Sequence, residues 1–234
     1  HTVGGVSKGS GMIHPNMATM LAFTTTDANV DPAFLQETLS AAVRLTFNQI
    51  DVDGDQSTND TVLLLANGAA GGPEISGGDE ASEAFAEAVL QVCRHLAIEI
   101  ARDGEGATKL IEVTVEGAHS DDDALVASRE CAASLLVKTA VYGRDPNWGR
   151  ILAAVGRAGV DGLDLNALEI WLGDVCLVRN GGRAADYSES RGQAVMDGEE
   201  ITIHIDLGRG NVSERVWTCD FSHDYVTINA EYRT

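Results

Sequence analysis

Basic residues are scarce in this sequence. Its 16 lysines and arginines stand against 36 aspartates and glutamates, which gives a formal net charge of -20 at pH 7. A chain with this charge is repelled by the phosphate backbone of nucleic acids and by an anionic membrane surface. We therefore expect no nucleic-acid partner and no membrane partner, whereas a basic small molecule is compatible with the negative field of the protein.

Long apolar runs and closely spaced cysteines are also missing. No uninterrupted apolar stretch approaches the roughly 20 residues that a membrane-spanning helix needs, so we expect no such helix. The four cysteines, Cys93, Cys131, Cys176 and Cys219, form no Cys-x-x-Cys pair. This spacing argues against a structural zinc site and favours reduced thiols in a cytoplasmic protein. We predict no metal site.

Apolar spacing predicts helices in several parts of the chain. Asp31 before Pro32 is typical of an N-cap followed by proline at the first helical position. Residues 80–102 form a longer amphipathic pattern, and residues 148–158 a shorter one. Ser120 is followed by three aspartates. It predicts the start of a further helix, because acidic residues are favoured at the positive end of the helix dipole.

Other segments predict strands. Residues 110–116 and 201–207 alternate apolar and polar side chains, which is typical of half-buried strands. Residues 212–220 are the expected antiparallel partner of 201–207, because a glycine-containing turn joins them. Residues 62–66 predict a buried strand and residues 168–179 a hairpin. Helices and strands occur in mixed order without a repeated βαβ unit, so the sequence predicts an α+β fold.

The run KGSGMIHPNMATML, residues 8–21, is the most informative motif. It reads as a self-cleavage site between Ala18 and Thr19. A threonine hydroxyl is a weak nucleophile, but its own α-amino group can act as the base once the preceding peptide bond is broken. That amine has a pKa of about 7.7–8.0 and is partly neutral at physiological pH. The alternative is a glycine-rich loop leading into a strand, with Thr19 as an ordinary strand residue.

A second motif, DVDGDQSTND at residues 51–60, suggests a calcium loop because aspartates alternate along it. An EF-hand loop has glycine at its sixth position and glutamate at its twelfth. Counted from the first aspartate, those positions hold Gln56 and Val62. We therefore interpret the motif as a tight structural loop beside the active site, in which Asn59 and Asp60 orient neighbouring groups.

These motifs resemble those of the glutamate N-acetyltransferase/ornithine acetyltransferase family of arginine biosynthesis. The resemblance extends along the whole chain in the order that the family has. It rests on five runs: KGSGMIHPNMATML, TFNQIDVDGDQSTNDTVLLLANG (46–68), DGEGATK (103–109), VKTAVYGRDPNWGRILAAVG (137–156) and YVTINAEYRT (225–234).

The resemblance implies a layered α/β core around an N-terminal threonine nucleophile, with a smaller C-terminal α/β region. Residues 1–18 would be the tail of an α segment and residues 19–234 a β segment, with an internal boundary near 110–120. A threonine-glycine pair in the α segment, upstream of this chain, would form the oxyanion hole.

The resemblance also implies the roles of individual residues. Thr19 would be the nucleophile and would contact substrate. The other substrate-binding residues would be Lys8, Glu105, Asn229 and Thr234. Lys8 and Glu105 have a simpler interpretation as solvated surface charges. A group of apolar residues indicates that the end of the chain docks on the fold: Tyr225, Val226, Ile228 and Tyr232.

The implied activity is transfer of acetyl from N-acetylornithine to glutamate through an acetyl-threonine, in a ping-pong cycle. No cofactor is implied, although acetyl-CoA could serve as an acetyl donor. The implied partner is the α segment of the same precursor, in an α2β2 heterotetramer. One alternative is an N-terminal-threonine amidase or aminopeptidase on the same architecture. Another is a non-enzymatic acidic binding module in which Thr19 is structural. Primary arginine synthesis and specialised metabolism both stay open.

Overall fold

The computed structural model describes residues 1–14 and 20–231 and divides the chain into two compact units, His1–Gly104 and Glu105–Thr234. The sequence placed a boundary near residues 110–120 and a smaller region after it. The observed division comes earlier, after Gly104, because the last helix of the first unit ends at Arg102. The C-terminal unit is therefore the longer one. The strand that follows belongs to the second sheet.

The first unit is a three-stranded sheet with helices on it. The strands have the order β1-β2-β3, with β1 antiparallel and β3 parallel to the central β2. Helix α2 packs on β1 and β2, and α1 packs on α2 and β3. The elements are β1 (Val3–Lys8), β2 (Leu21–Thr26), α1 (Pro32–Arg44), a 3-10 turn (Phe47–Gln49), β3 (Thr61–Ala66) and α2 (Glu80–Arg102).

Local sequence explains how these helices begin and approach the sheet. The Asp31 side chain accepts hydrogen bonds from two backbone N–H groups of the first turn of α1, as the sequence predicts. Asp79 caps α2 in the same way, accepting from the N–H of Ser82. A Cβ on Gly5 would lie 2.9 Å from Leu96 Cδ1 and 3.1 Å from Phe23 O, so α2 and β1 approach each other closely at this glycine.

The sequence correctly predicts a strand at residues 62–66, but the prediction that this strand is buried is wrong. Strand β3 forms, but Leu64 is its one buried residue, and Leu63 and Leu65 are exposed. The physical reason is that α1 and α2 cover one face of this sheet. We call the opposite side the outer face; its exposed apolar residues are Val6, Leu21, Phe23, Leu63 and Leu65.

The register of the strands makes the outer face continuous. Val6 is paired with Phe23, which is paired with Leu63 on the next strand. Side chains opposite each other on neighbouring strands lie on the same face and contact one another. Val6 is 67% exposed and Leu65 is 55% exposed. The described part of this unit therefore presents an apolar sheet surface to solvent.

The second unit is a six-stranded mixed sheet with the order β7-β6-β5-β8-β4-β9. Helix α3 packs on β4 and β9, and α5 packs on α3 and α4. The strands are β4 (Leu110–Ala118), β5 (Glu169–Leu172), β6 (Val175–Arg179), β7 (Gly182–Arg183), β8 (Glu200–Asp206) and β9 (Val212–Cys219). The helices are α3 (Asp121–Ala132), α4 (Leu135–Tyr142), α5 (Trp148–Arg157), α6 (Glu189–Met196) and α7 (His223–Glu231).

The predicted hairpin of β8 and β9 is wrong. Strand β4 lies between them, parallel to β8 and antiparallel to β9. The connection crosses the end of β4, where the N–H groups of Leu207 and Arg209 donate to Glu116 O and Gly117 O at 2.9 and 2.7 Å. A Cβ on Gly210 would lie 2.1 Å from Ala118 O. The glycine-containing turn permits this crossing rather than a hairpin.

The other predicted elements of this unit are confirmed. Ser120 caps α3 by accepting from the N–H of Asp123, and β5 and β6 form the expected antiparallel pair. The sequence analysis did not predict helices α4, α6 and α7, which have eight, eight and nine residues, or the two-residue strand β7. The core joins alternate β4 and β8 residues to α3, α4 and α5; its sheet residues include Ile111, Val113, Val115, Ile201, Ile203 and Ile205.

The cysteines are all free and buried, as expected for reduced thiols. Burial raises the pKa of the Cys131 thiol to about 12, which makes it a poor nucleophile. Within residues 1–14 and 20–231, no helix is long and apolar enough to cross a membrane.

A buried aspartate holds the start of β4. Asp220, directly after β9, accepts from the N–H groups of Thr108 and Lys109 at 2.7 and 2.9 Å. We expect Asp220→Ala to lower the free energy of unfolding by about 2–4 kcal/mol, because both N–H groups lose their acceptor. Asp186→Ala, at an exposed loop position, is the control and should change it by no more than about 0.5 kcal/mol. Equal urea midpoints for the two variants would contradict this role.

Candidate active site

Lys8 is the last residue of β1, and its register partner is Leu21, the first residue of β2. Lys8 and Leu21 are the first and last residues of the run KGSGMIHPNMATML, so this pairing brings together the two ends of the motif that carries the expected nucleophile. A polar cavity of about 520 Å³ lies at this end of the strand. It is lined by Ser7, Lys8, Gly9 and Ser10 and by the last turn of α2, with Glu99, Ile100, Arg102 and Asp103.

Ala18 and Thr19 lie outside the described residues, but the residue after them is firmly held. The N–H of Met20 donates to Asp60 Oδ1 at 2.8 Å, and the N–H of Thr61 donates to Met20 O at 3.0 Å. Asp60 therefore orients the backbone beside the expected cleavage site, as the sequence suggested. The N–H of Asn59 donates to Ser57 Oγ at 3.2 Å, within the same loop, and the suggested role of Asn59 stays a prediction.

The residues before the expected cleavage site are held by the same loop. Asp53 accepts from the N–H of Met12 at 2.7 Å and from the N–H of Ile13 at 3.1 Å. His14 Nδ1 and Asp51 Oδ1 are 2.9 Å apart. Asp51 Oδ1 also accepts from the N–H of Gly54 at 3.2 Å. Among the described residues, no group of three His, Cys, Asp or Glu side chains is arranged to hold a metal ion.

Desolvation affects two of these carboxyl groups. Burial raises the pKa of Asp53 above its ordinary value, and hydrogen bonds from the N–H groups of Met12, Asp55 and Ile13 oppose that rise. Burial also raises the pKa of Asp60, against the hydrogen bond from Met20. Repulsion from Asp51 also raises the pKa of Asp53. In both carboxyl groups the effect of burial on the pKa is larger than that of the hydrogen bonds.

A cavity of about 440 Å³ adjoins both flanks of the motif. His14, Met20 and Asp60 line it, so it lies next to residues on each side of the expected cleavage site. Its other walls come from α1, the 3-10 turn and the start of β3. They are formed by Ile13, Gln36, Leu39, Ser40, Val43, Phe47, Asn48, Ile50, Thr61 and Val62.

In the second unit, the structure brings Glu105 and Asn229 together. Asn229 Nδ2 donates to Glu105 Oε2 at 2.8 Å and to Tyr225 O at 3.1 Å. The two residues are 124 positions apart in sequence, and their pairing joins the DGEGATK loop to α7. Glu105 is therefore half-buried and paired rather than a fully solvated acid. Thr234 lies outside the described residues.

The DGEGATK loop holds the first turn of α7 through Gly106. This glycine has φ +69°, and a Cβ there would lie 2.5 Å from Tyr225 N. Ser222 Oγ donates to Gly106 O at 2.6 Å, and the rings of Phe221 and Tyr225 are 4.3 Å apart. Glycine is needed because the loop and the helix backbone are in contact.

The expectation that apolar residues dock the chain end is wrong for two of its four members. Val226 is 57% exposed and Ile228 is 42% exposed, whereas Tyr225 is half-buried and Tyr232 lies outside the described residues. The reason is that contact is made by the first turn of α7 and by Asn229, not by an apolar stripe along the helix.

The family model of ArgJ matches residues 1–234. The chain belongs to the ArgJ family. It is 52% identical over 236 residues to the arginine biosynthesis bifunctional protein ArgJ of Pseudomonas fluorescens, covering 100% of this chain and 58% of that protein. It is 54% identical over 232 residues to the protein of the same name from Methylococcus capsulatus, covering 99% and 57%. This ArgJ-family chain thus spans a little over half the length of these curated relatives.

A solved structure supports the same assignment. The crystal structure of the arginine biosynthesis bifunctional protein argJ from Bacillus halodurans superimposes with a TM-score of 0.86 at 42% identity. The match covers 90% of this chain and 98% of that one. The α+β fold predicted from the sequence is therefore confirmed.

Sequence analysis missed the parts of Asp53 and His14 in this site. Asp53 contacts residues that are 41 and 40 positions away in sequence. The sequence did contain a signal for the role of Asp53. The aspartates of this loop do not have the spacing of a calcium-binding loop, so their carboxylates must accept hydrogen bonds from other parts of the chain. That signal does not say which donors.

Gly106→Ala should loosen α7. The added Cβ meets Tyr225 N, and the left-handed backbone is strained for alanine, by roughly 1–3 kcal/mol. We expect faster hydrogen exchange in α7. Gly159→Ala is the matched control, because Gly159 has φ +79° but its Cβ would meet nothing within 4 Å. Unchanged exchange in α7 of the Gly106 variant would show that this contact does not hold the helix.

Proposed function

We propose that this chain forms the nucleophile-bearing part of an acetyltransferase that moves acetyl from N-acetylornithine to glutamate. The observation that carries the proposal is the match of the whole chain to the ArgJ family, with the run KGSGMIHPNMATML intact. The curated relatives are named as arginine biosynthesis bifunctional proteins, which fits this reaction. We take the second activity to be acetylation of glutamate from acetyl-CoA, with no bound cofactor.

The first proposed step is self-cleavage. Thr19 Oγ attacks the Ala18 carbonyl carbon, the bond from that carbon to the Thr19 nitrogen breaks, and the nitrogen takes the hydroxyl proton. An ester joins the two residues. Water then hydrolyses it, leaving a carboxylate on Ala18 and a free amine on Thr19. That amine is the base that the hydroxyl lacked in the intact chain.

The proposed transfer repeats this chemistry on the substrate. The Thr19 amine takes the hydroxyl proton as Oγ attacks the acetyl carbon of N-acetylornithine. The amide bond breaks, the proton passes to the departing nitrogen, and ornithine leaves. The α-amine of glutamate then attacks the acetyl ester, and Thr19 Oγ recovers a proton as N-acetylglutamate forms. Both half-reactions use one oxygen, which is why the cycle is ping-pong.

Charge complementarity supports the proposed substrate-binding residues. The Lys8 ammonium suits a substrate carboxylate, and Glu105 suits a substrate ammonium. Asn229 donates to Glu105 and so fixes the direction of its carboxylate. Thr19 and Thr234 keep the substrate-binding roles that the family resemblance implies. We place the protein in the cytoplasm, where arginine precursors are made.

We also propose that the outer face binds the part of the protein that this chain does not span. The face presents Phe23, Leu63 and Leu65 to solvent, and contiguous apolar surface of this kind marks protein interfaces. The relatives are longer by roughly two-fifths of their length, which supplies a partner of sufficient size. That part would be the rest of the α segment, whose tail is residues 1–18, and would bring the oxyanion donors. An α2β2 assembly follows from pairing two such heterodimers.

An intact-mass experiment tests the reaction. We expect full-length protein to be cut between Ala18 and Thr19, and the segment that begins at Thr19 to gain one acetyl mass with N-acetylornithine alone. The added acetyl mass should disappear from this segment when glutamate is added, and N-acetylglutamate should form. Thr19→Ala is the control and should stay uncut and unacetylated.

Two results would overturn the proposed reaction. Normal cleavage of Thr19→Ala would remove Thr19 as the nucleophile. Release of acetate at the same rate with and without glutamate would identify the protein as a hydrolase instead.

A polar substitution on the outer face tests the partner. Leu65→Asp should weaken binding of the separated α segment about tenfold or more, since burying a leucine is worth about 1.5–3 kcal/mol. Leu165→Asp is the matched control, because Leu165 is similarly exposed in the other unit. Binding can be measured by titration with the purified segment. Equal affinities for the two variants would rule out the outer face as the interface.

A further inference from the structure

The acidic loop, residues 51–60, contacts the chain on both sides of the expected cleavage site. Its role is not explained by transfer chemistry, because none of its residues is needed as nucleophile or base. It is also too irregular for an EF-hand. Its hydrogen bonds instead go to residues 12–14 and to residue 20, which flank the five residues that include Ala18 and Thr19.

On the upstream side, Asp53 holds two consecutive N–H groups. Its Oδ2 accepts from Met12 at 2.7 Å and its Oδ1 accepts from Ile13 at 3.1 Å. Met12 has φ +51°, a left-handed conformation that is strained for a side chain of this size. The N–H of Val52 donates to Ile13 O at 2.7 Å. Together these bonds fix a backbone conformation that the sequence would not adopt alone.

His14 adds a side-chain contact to this flank. Its Nδ1 lies 2.9 Å from Asp51 Oδ1, and the Asp51 side chain is almost fully buried. A buried carboxylate needs hydrogen-bond donors, so this pairing is strongly favoured. It directs the last described residue before the cleavage segment onto the acidic loop.

On the downstream side, Asp60 and Thr61 hold the backbone of Met20. Asp60 Oδ1 accepts from the N–H of Met20 at 2.8 Å, and the N–H of Thr61 donates to Met20 O at 3.0 Å. Both backbone polar groups of Met20 are therefore occupied by the end of the acidic loop and the start of β3. Met20 is also buried.

We propose that the acidic loop is a clamp that positions the bond between Ala18 and Thr19 for self-cleavage. The inference rests on the proposed self-cleavage and assigns it a device within this chain. Ordering the backbone of both flanks before the reaction lowers the entropy that is lost on the way to its transition state. The clamp acts through the backbone of flanking residues, so its members are positioning residues.

The test uses the rate of self-cleavage in full-length protein made by cell-free translation and followed by gel and intact mass. Asp60→Ala removes the acceptor for Met20 and should slow cleavage roughly tenfold to a hundredfold, the rate equivalent of one hydrogen bond to a charged group. Asp60→Asn keeps one acceptor oxygen without the charge and should cleave at a rate between those of Asp60→Ala and the wild type. Asp55→Ala removes an exposed carboxylate of the same loop and is the matched control.

A second pair of variants probes the upstream flank. Asp53→Ala should slow cleavage more than Asp53→Asn, because asparagine keeps one of the two acceptors. Each slow variant is also made in the Thr19→Ala background, where its melting temperature is measured without cleavage. A positioning role requires slow cleavage with a melting temperature close to that of Thr19→Ala alone.

The outcomes separate the clamp from the proposed function. If wild-type protein and Asp60→Ala cleave at the same rate, the clamp is overturned and the proposed function stays intact. Slow cleavage in Asp60→Asn equal to that in Asp60→Ala, or a large fall in melting temperature, assigns the loop to folding and also overturns the clamp. Wild-type protein that never cleaves overturns the proposed function, and the clamp with it.

Discussion

Aspartate carboxylates that accept backbone N–H groups hold the functional junctions of both units. Asp53 and Asp60 fix the chain on the two sides of the nucleophile motif, and Asp220 fixes the chain where the second sheet begins. A carboxylate can accept several hydrogen bonds at once, and such bonds are stronger than those between neutral groups. The cost is desolvation, which raises the pKa of Asp53 and of Asp60. This constraint explains the acidic residues of loops in which the described side chains form no cluster able to hold a metal ion.

The acidic composition therefore has more than one source. Part of the net charge of -20 serves structure directly, as in the caps that Asp31 and Asp79 provide for α1 and α2. Another part lies on helix surfaces and in first turns, where acidic residues stabilise the helix dipole. Attraction of a basic substrate is compatible with this field but does not account for it.

The sequence predicted individual helices and strands better than it predicted which strands pair and which of their faces are buried. Helix α2 has the predicted bounds, Glu80–Arg102, because caps and apolar spacing are local signals. The pairing of β8 with β9 was wrong, since a turn between two strands does not reveal that β4 inserts between them. Burial of β3 was wrong because an apolar strand buries both faces only when something covers both. That information lies outside the strand.

The candidate site shows the same division. Motif resemblance identified Glu105 and Asn229 singly, and the structure pairs them across 124 residues at 2.8 Å. No local pattern could have done so, because the contact depends on Gly106 letting the loop reach the backbone of α7. Asp53 escaped detection for a similar reason. Its partners are backbone N–H groups, which every residue except proline has, so its role is set by where the chain passes and not by which residues it passes.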